Sequence, residues 1–101
     1  MSLDIVMPVY NEEGCIEDVI RTIQKEILSE IPNSRLLAIN DGSRDRTPEI
    51  IDRLGKEFPQ VIPVHKPNGG HRDALLHGLF EADAEWIFLM DSDDQFELKD
   101  F

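Results

Sequence analysis

A chain of 101 residues with 41% apolar content is one domain around one core, and its net charge of −11, from 10 Lys and Arg against 21 Asp and Glu, repels nucleic-acid phosphates and anionic lipid. No apolar run exceeds five residues, against the roughly 20 that a bilayer span needs, and the N-terminus lacks the basic and long apolar parts of a signal peptide, so a soluble, cytoplasmic chain is expected. A single cysteine, Cys15, excludes an internal disulfide and fits a reducing compartment.

Leu3–Val9 is a β-rich run. Ile16, Val19, Ile20, Ile23 and Ile27 then recur at spacings of three and four, one apolar stripe on a helix that ends near Ser29, with Cys15 read as a buried thiol in the same pattern. The breaker Ile31-Pro32-Asn33 precedes a second buried run, Leu36-Leu37-Ala38-Ile39, which ends in Asn40-Asp41-Gly42-Ser43. Thr47-Pro48 marks the next helix start, the hydroxyl as cap and the proline in the first turn, with Ile50, Ile51, Leu54 and Phe58 as its buried face. The third run, Val61–His65, contains Pro63, which cannot donate to ladders on both sides and so belongs at a sheet edge. A third helix is expected from about Gly70 to Ala82. Trp86-Ile87-Phe88-Leu89-Met90 is apolar throughout, as in a central strand buried on both faces.

The β-α-β-α-β-α-β order with right-handed crossovers predicts an α/β, Rossmann-like parallel sheet of about four strands in the order 3-2-1-4, with helices on both faces. Ligands of such sheets bind beyond the carboxyl ends of the strands. Four polar segments should meet there: Tyr10-Asn11-Glu12-Glu13, Asn40-Asp41-Gly42-Ser43, Asn68-Gly69-Gly70-His71 and Asp91-Ser92-Asp93-Asp94-Gln95.

Asp91 and Asp93 are two apart in an extended segment, so both carboxylates can point one way and Gln95 can join them. Two such charges repel unless a cation lies between them, and hard oxygen ligands suit Mg2+ or Mn2+ completed by a diphosphate. The competing reading is an acidic, solvated turn. Asp41 can accept from a nucleobase N–H or a ribose hydroxyl, or simply link strand to helix in an Asp-Gly-Ser turn. Tyr10 can stack on a base or pack locally, and Glu12 can reach a ribose or base edge. His71 and Arg72 can face a phosphate or a solvated helix start, while Arg44 and Arg46 are read as surface charges. Neither a Gly-x-Gly-x-x-Gly fingerprint nor a Walker motif is present. An EF-hand reading of the acidic segment fails because Phe96 stands where that loop needs glycine.

With these residues in view, the chain resembles the family 2 inverting glycosyltransferases of GT-A fold, especially the polyprenyl-phosphate sugar transferases related to dolichol-phosphate mannose synthase. Four ordered blocks carry the resemblance: Pro8-Val9-Tyr10-Asn11-Glu12-Glu13, Asn40-Asp41-Gly42-Ser43-Arg44-Asp45-Arg46-Thr47, Asn68-Gly69-Gly70-His71 with Ala74 and Gly78, and Asp91-Ser92-Asp93-Asp94-Gln95. Asn40 departs from the family's usual first Asp of its block. The resemblance implies that Pro8, Tyr10, Glu12 and Asp41 contact the nucleoside, Ser92 the ribose or phosphate, and Asp91, Asp93 and Gln95 the metal and diphosphate. Residues 1–101 would then be the donor-binding N-terminal part of a transferase domain whose acceptor half, with any general base, follows Phe101. The implied partners are a nucleoside-diphosphate sugar and a glycan or polyprenyl-phosphate acceptor, used in cell-envelope glycan synthesis. Self-association into a homo-oligomer stays open, and any attachment to the cytoplasmic face of a membrane would come from segments outside this chain. The alternative is a module that binds nucleotide, or a partner chain, without turnover.

Overall fold

The computed structural model describes residues 2–92. The elements run β1 (Leu3–Val9), α1 (Ile16–Ile23) continued by a π-helical turn (Gln24–Leu28), β2 (Ser34–Asp41), α2 (Thr47–Glu57), β3 (Val61–Lys66), α3 (His71–Glu81) and β4 (Trp86–Leu89). All strand pairs are parallel and the order is β3-β2-β1-β4, the expected 3-2-1-4.

Period-two alternation divides the core. Leu3, Ile5, Met7 and Val9 of β1, with Leu36 and Ala38 of β2, pack against Ile16, Ile20 and Ile23 of α1 and Ile51 and Leu54 of α2. Val6, Leu37 and Ile39 point the other way, against Ala74 of α3, so helices cover both faces. Each fully buried aliphatic side chain contributes about 1.5–3 kcal/mol, and the first cluster is the larger. α3 presents little apolar bulk to the sheet: its buried residues are Ala74 and Gly78. That small pair lets the helix backbone approach β1 closely.

At the amino ends of the strands, Asp4 is 1% exposed and accepts from Arg35 Nε and Nη2 at 2.9 and 2.8 Å and from the N–H groups of Asp83 and Ala84 at 3.0 and 3.3 Å. Burial pushes its carboxyl up, but the Arg35 bonds and the two N–H groups outweigh that and hold it below the ordinary 3.8.

Pro63 does sit in an edge strand, β3, and Arg44 and Arg46 are exposed. Four expectations need correction. β4 is not central among the described residues: it pairs only with β1, and Trp86, Ile87, Phe88 and Leu89 are 42–62% exposed, because no second strand or layer covers it there. The first helix does not stay α-helical to Ser29 but widens to i→i+5 bonding over Gln24–Leu28. Cys15 is half-buried at the α1 start, its thiol donating to Glu12 Oε2 at 3.1 Å. The Thr47 hydroxyl does not cap α2; Asp45 Oδ1 accepts the Thr47 N–H at 2.9 Å, and the hydroxyl is spent on the neighbouring loop.

A Cβ on Gly78 would overlap Val6 Cγ1 and stand 3.2 Å from Ile39 Cγ1. Gly78→Val should therefore lower the urea-unfolding free energy by about 2 kcal/mol or more through overpacking. Gly14→Ala, where a Cβ meets nothing within 4 Å, should stay within about 0.5 kcal/mol of the parent chain.

Candidate functional site

The register places Val9 beside Asn40 and Asp41 beside Lys66, so the carboxyl ends of β1, β2 and β3 finish level and their loops meet. A cleft of about 420 Å³ opens there, lined by Pro8, Tyr10, Glu12 and Asp41 together with Asn68, Gly70, His71, Asp91 and Ser92. Pro8, Tyr10, Glu12, Asp41, Asp91 and Ser92, the expected nucleoside, phosphate and metal contacts within the described residues, all line this cleft, as does His71, whereas Arg72 does not. Asp93 and Gln95, the other expected metal ligands, lie outside the described residues.

The loops after β1 and β2 are stitched by reciprocal main-chain to side-chain bonds. Asn11 N–H donates to Ser43 Oγ at 2.9 Å, Glu12 N–H to Thr47 Oγ1 at 2.9 Å and Glu13 N–H to Asp45 Oδ2 at 3.2 Å, while Arg44 N–H donates back to Asn11 Oδ1 at 2.8 Å. Asn11 takes a left-handed φ of 50°, which asparagine tolerates better than most residues, and this turns Tyr10 and Glu12 toward the cleft. Tyr10 is 45% exposed, an open aromatic face at the mouth.

Asn40 is buried, and its amide works in both senses. Oδ1 accepts the Ser43 N–H at 3.0 Å, so Nδ2 donates to His65 Nδ1 at 3.0 Å, which leaves His65 Nε2–H to donate to Asp52 Oδ1 at 2.7 Å. An aspartate here could only accept; the asparagine that departs from the family pattern bridges two strand ends.

Asp41 is 3% exposed and its carboxylate is filled from within the protein. Oδ1 accepts from Lys66 Nζ at 2.7 Å and Gly69 N–H at 2.9 Å; Oδ2 accepts from Gly70 N–H at 2.9 Å and Asn68 Nδ2 at 3.3 Å. Burial raises its pKa, but the Lys66 bond first, then the two glycine N–H groups, hold it below the ordinary 3.8. The glycines are required by geometry. Gly70 has φ 97°, and Gly42 has φ 71° with its absent Cβ 2.6 Å from Asn68 N.

On the fourth side, Asp91 is largely exposed at the cleft, with His71 Nε2 3.6 Å from its Oδ1. Ser92 is buried, and its carbonyl lies 3.8 Å from Cys15 Sγ, a second and longer acceptor for the thiol proton that Glu12 Oε2 takes at 3.1 Å. No group of three His, Cys, Asp or Glu side chains is placed to hold a metal ion among the described residues. A single exposed carboxylate facing a cleft is nonetheless the kind of donor that Mg2+ or Mn2+ uses when substrate phosphates complete its shell.

Sequence reasoning missed Lys66, His65 and Asp52. Lys66 had a usable signal: once β3 is set beside β2, the last residues of the two strands, Lys66 and Asp41, become register partners.

The model of the Glycosyl transferase family 2 matches residues 4–101. A prophage bactoprenol glucosyl transferase homolog of Escherichia coli K12 is 34% identical over 94 residues, 92% of this chain and 31% of that protein. Among solved structures, the mannosyltransferase PcManGT of Pyrobaculum calidifontis, in complex with GDP-Man and Mn2+, superposes with a TM-score of 0.80 at 23% identity, covering 90% of this chain and 27% of that one. Glucosyl-3-phosphoglycerate synthase of Mycobacterium tuberculosis, in complex with Mn2+, UDP and glucosyl-3-phosphoglycerate, gives 0.74 at 26% identity, covering 91% and 33%. The chain spans about a third or less of the length of the curated relatives it matches. Among the described residues no helix is long and apolar enough to cross a membrane.

The buried carboxylates also set an acid limit. Asp4 and Asp41 have folded pKa values below their ordinary 3.8, so the stability they contribute is complete above that value and is lost as pH falls through the folded values. Urea midpoints should be insensitive to these two groups between pH 5 and 7 and fall steeply below about pH 4. Asp41→Asn should flatten part of that acid slope.

Proposed function

The chain belongs to glycosyl transferase family 2, and on that premise we propose that it is the donor-binding part of an inverting glycosyltransferase that takes a nucleoside-diphosphate sugar. The observation that carries this is the one cleft lined by Tyr10, Glu12, Asp41 and Asp91, which brings an exposed aromatic face and an exposed carboxylate to the same opening. Pro8, Tyr10 and Glu12 hold the nucleoside, with Asp41 beneath it; Ser92 meets the ribose or the first phosphate. Asp91, with Asp93 and Gln95 of the same segment, would hold a Mg2+ or Mn2+ ion. When bound, that ion supplies neutralisation of the charge that gathers on the departing diphosphate.

In the reaction, an acceptor oxygen attacks the anomeric carbon from the face opposite the diphosphate. The new C–O bond forms as the old one breaks, its electron pair leaving with the diphosphate, and the configuration inverts. A phosphate acceptor needs no general base, because its second pKa near 6 leaves it ionised at neutral pH. The bactoprenol and dolichyl-phosphate transferases among the relatives favour a polyprenyl phosphate as acceptor. The reaction then belongs at the cytoplasmic face of a membrane.

The test is calorimetric titration of the chain with UDP, GDP and dTDP, with Mn2+ and with EDTA. One nucleotide should bind with Mn2+ and lose roughly tenfold or more in affinity with EDTA, and Asp91→Ala or Asp93→Ala should abolish the difference. Equal affinity in both buffers, or no binding by any nucleotide, would overturn the reading.

A further inference from the structure

We propose that Lys66 is a positioning residue for donor binding: pinned between Asp41 and Asp73, its ammonium fixes the Asp41 carboxylate so that it holds residues 68–70 as the wall of the cleft. The inference rests on the donor-binding reading above and adds a residue and a chain of contacts to it.

The Lys66 side chain is 7% exposed, unusual for a lysine, and its three N–H groups have three acceptors. They are Asp41 Oδ1 at 2.7 Å, Asp73 Oδ2 at 2.5 Å and the Pro67 carbonyl at 2.6 Å. One acceptor lies on β2, one on the first turn of α3 and one in the connecting loop, so one ammonium ties the three segments that border the cleft. Asp41 relays that restraint. With Lys66 Nζ on Oδ1, its remaining acceptor positions face Gly69 N–H, Gly70 N–H and the Asn68 amide. His71 follows Gly70 directly and stands 3.6 Å from Asp91. The line Lys66, Asp41, Gly70, His71, Asp91 therefore runs from a side chain that does not line the cleft to the carboxylate assigned above to the metal and diphosphate.

Charge balance makes the lysine more than a spacer. A carboxylate as buried as that of Asp41 keeps its charge through its donors, and Lys66 is the only one of the four that carries a full positive charge. Without it, the carboxyl takes up a proton more readily. Each oxygen holds one of the two glycine N–H groups, so a proton on either oxygen weakens the bond from Gly69 or from Gly70, and the wall loosens.

The experiment compares the parent chain with Lys66→Met and Lys66→Arg, using two readouts. Amide hydrogen exchange at Gly69 and Gly70 needs no ligand: Lys66→Met should raise both rates by roughly tenfold or more, and Lys66→Arg, which keeps the charge, by less. Affinity for the nucleotide selected by the parent chain with Mn2+ should fall roughly tenfold in Lys66→Met, and the deficit relative to the parent at the same pH should widen as pH drops from 7 to 5, because the ligand phosphate and His71 titrate alike in both chains. A merely structural lysine would lower the melting temperature without creating that pH dependence. If Lys66→Met does not fold, Asp73→Asn removes the exposed partner instead and should raise the same two exchange rates by a smaller factor. Parent-like exchange at Gly69 and Gly70 in a folded Lys66→Met chain, or a variant-to-parent affinity ratio that does not change between pH 7 and 5, would overturn the proposal. Failure of the parent chain to bind any nucleoside diphosphate is a separate result that sinks the donor-binding reading, and the titration of the parent chain detects it independently.

Discussion

A carboxylate taken out of water persists only when its lone pairs are filled, and the arrangement of the cleft follows from how Asp41 meets that demand. Its donors come from the neighbouring strand end and from the next loop, so satisfying one buried charge simultaneously fixes where β3 stops, how the 67–70 segment turns and where α3 begins. Glycine at 42 and at 70 is the steric condition for that turn, since one has a left-handed backbone pressed on Asn68 and the other reaches φ 97°. The same bonds explain why Asp41 forms the floor of the cleft instead of offering an unoccupied carboxylate to solvent.

Asp4 repeats the device at the opposite rim. It lies near the start of β1, is as buried as Asp41, and accepts the N–H groups of Asp83 and Ala84 just after α3, with Arg35 in the part that Lys66 plays. α3 is thus held at both ends by buried carboxylates, Asp41 before it and Asp4 after it. Its packing is thin by comparison: Ala74 and Gly78 are its buried residues, while Leu76, Leu79 and Phe80 are exposed. Polar clamps at the two ends offset a small apolar interface, and they leave the helix start, with His71, located beside Asp91. α1 and α2 on the other face are anchored conventionally by a stripe of isoleucines and leucines.

Strand order, the layer assignment and the gathering of polar loops were legible because apolar period, Pro63 and the parallel-sheet rule all point the same way. Composition misled at β4, whose four apolar residues suit a doubly covered strand yet have neighbours on one side among the described residues. Thr47 followed a good local rule for capping, but a tertiary partner, the Glu12 N–H, took the hydroxyl and left the helix start to Asp45. Lys66 was hidden for a related reason: a single lysine at a strand end reads as solvated, and only the register with Asp41 turns it into a buried counter-charge. Asn40 reads as a small departure from a motif, whereas the fold uses the donor that an aspartate lacks to reach His65.

The loops after β1, β2 and β3 and the segment after β4 border one cleft, to which we assign a nucleoside diphosphate with a divalent cation. Paramagnetic relaxation by Mn2+ measures that directly in an amide-resolved NMR spectrum of the chain with and without the bound nucleotide. With nucleotide present, broadening should concentrate on the amides of Gly70, His71, Asp91 and Ser92 and extend to Tyr10, while Asn33, Gln60 and Ala84 at the opposite rim stay sharp. Broadening spread evenly over the acidic surface, or centred away from Asp91 and unchanged by nucleotide, would contradict it.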